Sequence, residues 1–266
     1  MSPSASTPVL AVEKVVAGYG ERTILDGVSF EVAAGEIVTV LGGSGCGKTT
    51  LLRCIVGLLA PWSGRVLIEG RDVNAADEAE RETILRDVGM AFQNAALLNS
   101  MTVEENVALP VIEHWGLDRT TAIMVARMRL ARVGLGAAAG MMPAELSGGM
   151  RKRAGLARAI ALEPRLLLFD EPSAGLDPVT ARELDDLILS LKAQGKMGIV
   201  VVTHELSSIT IITDRAIMLA DGKVLASGTL DEVRANPDPV VQGFFRREVP
   251  PHEPRPSLID QLEWRT

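Results

Sequence analysis

Apolar and polar positions divide the chain into blocks of alternating strand and helix character. Apolar residues alternate from Val9 to Val16, as in a half-buried strand. Glu36 to Leu41, EIVTVL, is a largely apolar run before a glycine cluster, which predicts a buried strand feeding a turn; residues 47–58 continue as a helix. Arg65 to Gly70 is strand-like. Thr102-Val-Glu-Glu105 fits a capping box, so a helix is predicted to start there and to stop at Pro110. Asp118 to Val133 has helical spacing, with Arg127, Arg129 and Arg132 on solvated faces. Ser147 to Leu162 is a further long helix, ended by Pro164. RLLLFDE, from Arg165, is the strongest buried-strand signal, four apolar residues followed by two carboxylates. Asp177-Pro178 suits a helix start, with proline at the first helical position. GIVVVT, from Gly198, is another buried strand, and AIMLADGKVLASG, from Ala216, predicts a hairpin turning at Asp221-Gly222.

Strands thus alternate with helices from residue 36 to 220, which argues an α/β domain with a mainly parallel sheet. No internal repeat is visible. Residues 1–8 read as a frayed, flexible tail. From Pro237 prolines accumulate, at 239, 250, 251, 254 and 256, so the C-terminus reads as a tail. Within it Ser257-Leu-Ile-Asp260 resembles a capping box, and Leu258, Ile259 and Leu262 share one arc of a short helix. So few residues form a helix only against a ready-made apolar groove.

Composition narrows the function. With 47% hydrophobic and 23% charged residues over 266 positions, the chain is globular, not disordered. A net charge of −7 and only three Trp, one Tyr and five Phe make it a poor nucleic-acid binder, which wants basic surface and stacking rings. Two cysteines, Cys46 and Cys54, are no disulfide framework and suit a reducing compartment. The N-terminus has neither a basic nor an apolar signal region. No apolar run reaches bilayer-spanning length.

Three segments carry chemistry. Residues 42–49, Gly42-Gly43-Ser44-Gly45-Cys46-Gly47-Lys48-Thr49, fit G-x-x-x-x-G-K-[ST] in full. A triphosphate needs many donors at close range. Glycines let the backbone N–H groups turn inward, and the next helix adds its positive end. Lys48 supplies charge for the β- and γ-phosphates, and Thr49 a hydroxyl for Mg2+. Asp170 and Glu171 end a buried strand, where Asp170 suits the metal and Glu171 the attacking water. Leu146-Ser147-Gly148-Gly149-Met150 opens a helix. That segment reads either as a plain cap by Ser147 or as a second anion site. A compact domain has no evident use for a second such site unless it meets the nucleotide of another copy.

On these motifs the chain resembles the ATP-binding subunit of ABC transporters, from Val9 to about Phe245. The resemblance implies a P-loop NTPase core of ABC type, with a helical subdomain at roughly 94–162 and an N-terminal antiparallel β region. Residues 9–245 form the domain and 246–266 the C-terminal tail. It implies ATP and Mg2+ as cofactors, with Thr50 joining the phosphate loop. It implies a sandwich dimer in which Ser147, Gly148 and Gly149 of one copy close on the ATP of the other. Tyr19 corresponds to the aromatic that stacks on adenine. Gln93 corresponds to the glutamine that senses Mg2+ and water and links to membrane subunits. Ser173-Ala-Gly-Leu-Asp177 corresponds to the loop that couples the two sites, and His204 to the histidine at the γ-phosphate.

Residues 93–114, 146–164 and 170–180 look like the Mla/Mce-type branch, which moves phospholipids or related lipids between the two bacterial membranes. Met150 stands where most of the family has glutamine. The resemblance therefore implies a peripheral ATPase on the cytoplasmic side of the bacterial inner membrane. Its partners are a second copy, integral permease subunits, and small accessory and substrate-binding subunits. The segment Gln93 to Met101 is expected to dock a membrane-subunit helix, with core packing of Leu97 and Leu98 as the alternative. An importer of small polar solutes such as amino acids is the runner-up. A soluble ABC protein of repair or translation would carry a second cassette or a coiled-coil insertion. A non-hydrolysing regulator would lack Glu171 or Lys48.

Overall fold

The computed structural model describes residues 7–247. In chain order the elements are β1 (Leu10–Tyr19), β2 (Arg22–Val32), β3 (Ile37–Leu41), α1 (Lys48–Ile55), β4 (Ser63–Ile68), β5 (Arg71–Asp72), α2 (Glu78–Leu85) and β6 (Val88–Ala91). Then come α3 (Val103–Trp115), α4 (Arg119–Arg132), α5 (Gly148–Ala159), β7 (Leu166–Asp170), α6 (Pro178–Lys192) and β8 (Gly198–Val202). The chain continues with α7 (Leu206–Ile212), β9 (Arg215–Ala220), β10 (Lys223–Thr229), α8 (Leu230–Ala235) and α9 (Pro239–Arg246).

Two sheets result. An antiparallel sheet has the order β2-β1-β4-β5, and a larger sheet the order β10-β9-β3-β8-β7-β6. The strands from β9 to β6 run parallel, and β10 returns antiparallel through the hairpin predicted at Asp221-Gly222. Both turn residues are left-handed there, φ 46° and 76°, as a tight hairpin turn requires.

The apolar runs arise because both faces of the central strands are covered. Leu166 and Leu168 of β7 face a core shared with α1 and the antiparallel sheet. Leu167 and Phe169 face a second core built with α3 to α6. Alternate residues of one strand thus serve two cores, the period-2 geometry of a strand.

Some sequence expectations change. The helix predicted to stop at Pro110 runs through it to Trp115. Proline inside a helix removes one backbone bond and costs about 3 kcal/mol. Full burial of Val103, Val107 and Val111 against the second core offsets that cost. Arg129 is not solvated. It is 9% exposed, and its guanidinium donates to the Ala161 carbonyl and pairs with Glu163 at 2.9 Å. The tail expected from Pro237 begins later, because Pro239 starts α9, whose Val241 is fully buried beside Phe244 and Phe245. The helix predicted over 147–162 ends at Ala159, and the one over 47–58 spans Lys48–Ile55. The expected tail helix around Leu258 and the first six residues lie outside the described residues.

Candidate active site

Four neighbouring parallel strands end at one edge. Val40 of β3 pairs with Val202 of β8, Val202 with Asp170 of β7, and Phe169 with Ala91 of β6. The segments that follow them carry residues 42–49, His204, Asp170-Glu171 and Gln93, so this edge gathers the sequence motifs. Ligands bind in such parallel sheets outside the carboxyl ends of the strands.

The loop after β3 is built on backbone. Gly42 (φ 150°) and Gly47 (φ 111°) adopt backbone geometry that side chains resist. A Cβ at Gly42 would stand 2.3 Å from the Leu219 carbonyl oxygen, and one at Gly47 2.6 Å from Leu25. The turn is therefore reserved for glycine. Ser44, Gly43, Gly45 and Thr49 are exposed, while Cys46 and Thr50 are buried. The Lys48 ammonium lies over the loop and donates to the carbonyls of Gly42 at 2.7 Å and Gly43 at 2.8 Å.

Glu171 is held by both its backbone and its carboxylate. Its φ is 49°, and its N–H donates to the Val202 carbonyl at 2.8 Å. One carboxylate oxygen lies 2.7 Å from His204 Nδ1, and the other accepts the His204 backbone N–H at 3.3 Å. Nε2 of the half-exposed imidazole lies 4.0 Å from the Glu205 carboxylate. Burial raises the pKa of Asp170, the Glu171 charge adds to the rise, and Lys48 opposes it. Among the described residues Asp170 has no ion-pair partner, and Lys48 is near enough for its charge to act on the carboxylate. No group of three or more His, Cys, Asp or Glu forms a metal cluster among the described residues. The donors present, a carboxylate at Asp170 and the exposed hydroxyl of Thr49, are hard oxygens of the kind Mg2+ takes together with phosphate and water.

The remaining candidates divide. Tyr19 is exposed at the end of β1, and its hydroxyl accepts from Arg53 of α1 at 2.8 Å. Gln93 is exposed and has no hydrogen bond to the other motif residues. Ser147 caps α5 through the Met150 N–H at 3.2 Å, and Asp177 caps α6 through the N–H groups of Val179 and Thr180. Ser147, Gly148 and Asp177 are exposed, and Gly149 packs against Thr180. These residues lie together through the Gly149–Thr180–Asp177 contacts, and none of them is hydrogen-bonded to the phosphate loop among the described residues. Leu97 packs into the second core, while Leu98 is 42% exposed. Buried Asn106 clamps the Leu98 backbone, accepting its N–H at 2.7 Å and donating to its carbonyl at 3.0 Å.

Sequence reasoning missed two cations on α5. Arg158 donates to the carbonyls of Ala95 and Ala96, both left-handed. Lys152 donates to the carbonyls of Glu171, Pro172 and Ala174. Burial draws the Lys152 pKa down, and the Glu171 charge opposes it. Their acceptors lie far away in sequence, so no local motif marks them.

A glycine loop, a strand-end carboxylate pair and a histidine at one sheet edge define a nucleotide-hydrolysing cassette. The family profile described as ABC transporter matches residues 25–174, and the chain belongs to that family and is an ABC-type ATPase that binds ATP. The ATP-binding protein MlaF of the intermembrane phospholipid transport system of Escherichia coli K12 is 44% identical over 226 residues, 85% of this chain and 84% of that protein. The methionine import ATP-binding protein MetN of Brucella abortus is 39% identical over 92% of this chain but only 66% of its own. Among solved structures, the dimeric ABC transporter cassette MJ0796 aligns with a TM-score of 0.76 and 32% identity, over 83% of this chain and 98% of its own. A post-hydrolysis dimer of the same cassette, bound to ADP and Pi, aligns with a TM-score of 0.75 and 33% identity.

Proposed function

We propose that this ATPase powers phospholipid movement between bacterial membranes, as a peripheral subunit at the cytoplasmic face of the inner membrane. The observation that carries the cargo is the likeness to the phospholipid-system protein, which extends through most of both chains. No helix among the described residues is long and apolar enough to cross a membrane, so integral permease subunits supply the path. Small accessory and substrate-binding subunits complete the complex, and nucleic acid is not a partner. The exposed Leu98, held outward by Asn106, is the contact for a permease helix.

Two copies enclose two nucleotides. The loop 42–49, with Lys48 and Thr50, holds the phosphates of one ATP, and Tyr19 stacks on its adenine. Ser147, Gly148 and Gly149 of the second copy close on the γ-phosphate, and Asp177 lies at the seam. Thr49, Asp170 and Gln93 would hold Mg2+, which would supply positive charge to the phosphates. Glu171 takes a proton from the attacking water as its oxygen bonds to the γ-phosphorus and the bond to ADP breaks. His204 fixes the Glu171 carboxylate through Nδ1 and keeps Nε2 for the γ-phosphate. Met150 lacks the usual carboxamide, so Ser147 and backbone N–H groups carry that contact.

Purification of the native complex with identification of bound molecules tests the cargo. Phospholipid bound to a complex containing a permease supports the proposal. An amino-acid permease without lipid would replace it with solute import.

A further inference from the structure

Lys152 is an ammonium with its three donors committed to one turn. It reaches the carbonyl oxygens of Glu171 at 3.2 Å, Pro172 at 2.6 Å and Ala174 at 2.7 Å. Lys152 is part-buried, and drawing a charge out of water is costly unless its donors are satisfied, as all three are here. The turn it holds has an unusual need. Glu171 sits at φ 49°, a region that non-glycine residues occupy only when their surroundings over-determine it. Lys152 lies on α5 five residues after its cap Ser147, about 7.5 Å along the axis. The end of α5 and the turn bearing Glu171 therefore form one bonded unit. Packing tightens the unit, because Gly148 approaches Leu176 and Gly149 approaches Thr180.

We infer that Lys152 is a positioning residue for hydrolysis: it ties the turn of Glu171 to the helix whose Ser147 end meets the partner's nucleotide. Engagement of the second site then sets the carboxylate of the first. This rests on the roles of Ser147 and Glu171 given above. Lys152 itself touches neither nucleotide nor water.

The test uses the full chain and four readouts: kcat, KM for ATP, melting temperature, and ATP-driven dimer formation in the Glu171→Gln background. A displacement of about 1 Å in a catalytic group can cost about 10²-fold. Lys152→Met should lower kcat by roughly 10- to 100-fold with KM little changed, and should leave the ATP-driven dimer intact. Lys152→Arg, which keeps charge and donors, should recover most of kcat. A kcat for Lys152→Met within about twofold of wild type overturns the inference. So does an Arg variant as slow as Met, or a loss of kcat and dimer in proportion. Where the Met variant does not fold, Lys152→Gln takes its place under the same criteria. If Glu171→Gln alone keeps turning over and forms no ATP-dependent dimer, the underlying site reading fails and this inference falls with it.

Discussion

Gly149 gives a direct measure of how tightly the starts of α5 and α6 are packed. In Gly149→Ala the new Cβ would stand 2.4 Å from Thr180 Cγ2. Carbon atoms rest about 3.5–4.0 Å apart, so more than about 1 Å must be found. Thr180 cannot turn away cheaply. Its Oγ1 donates to Asp177 at 2.6 Å, its N–H donates to the same carboxylate, and threonine is stiff at χ1. The starts of α5 and α6 must then separate. Overpacking of this kind costs about 1–3 kcal/mol, against which alanine in a helix regains up to about 1 kcal/mol. A net loss of about 1–2 kcal/mol corresponds to a fall of about 2–8 °C in melting temperature for a domain of this size. Thr180→Ser removes Cγ2 and keeps the hydroxyl. The pair Gly149→Ala/Thr180→Ser should therefore be more stable than the two single losses combined, by about 1 kcal/mol or more. Denaturant unfolding of the four full-length proteins measures this cycle. Additivity within about 0.5 kcal/mol would refute the contact. ATP binding by the single chain should be unchanged throughout, because the phosphate loop is elsewhere.

Three further outcomes are expected. Ser147→Arg should bind ATP as a single chain but lose hydrolysis by about 10²-fold or more, since bulk and charge occupy the seam; normal turnover as a monomer would refute the sandwich. Leu98→Asp should fold and keep basal ATPase activity, because Leu98 is 42% exposed, yet lose stimulation by the membrane complex; loss of folding would return Leu98 to the core. Burial holds Asp170 above the ordinary aspartate range, and a cation needs the carboxylate form. Mg2+-dependent ATP binding should therefore weaken more steeply than Mg2+-free binding as pH falls through that raised pKa. Nucleotide titrations at a series of pH values below neutral check this, and equal slopes with and without Mg2+ would contradict it.

The motif chemistry was legible because each motif is local. A glycine loop with Lys48, or two acids closing the run Leu166–Phe169, shows its purpose within a few residues. The central strands were legible because burial on both faces leaves an uninterrupted apolar run. What escaped depends on partners far along the chain. Arg129 reads as a solvated helix position until Glu163 and the Ala161 carbonyl come to meet it. Lys152 and Arg158 resemble ordinary surface charges of α5 until the folded loops present carbonyls to them. Pro110 carries a local stop signal that tertiary burial overrides. At α9 the prolines suggested a tail, although proline at a first helical position favours a start.

The central claim is that this sheet edge hydrolyses ATP with Glu171 as base and Lys48 as phosphate ligand. Its most direct test is one paired measurement on full-length Glu171→Gln and Lys48→Ala: ATP binding and phosphate release, side by side. Glu171→Gln should bind ATP as well as wild type, accumulate an ATP-bound dimer on sizing, and lose turnover by about 10²–10⁴-fold. Lys48→Ala should lose the binding itself, because a charge partner of the phosphates is gone. Turnover near the wild-type rate in Glu171→Gln, or undiminished ATP affinity in Lys48→Ala, would contradict the assignment.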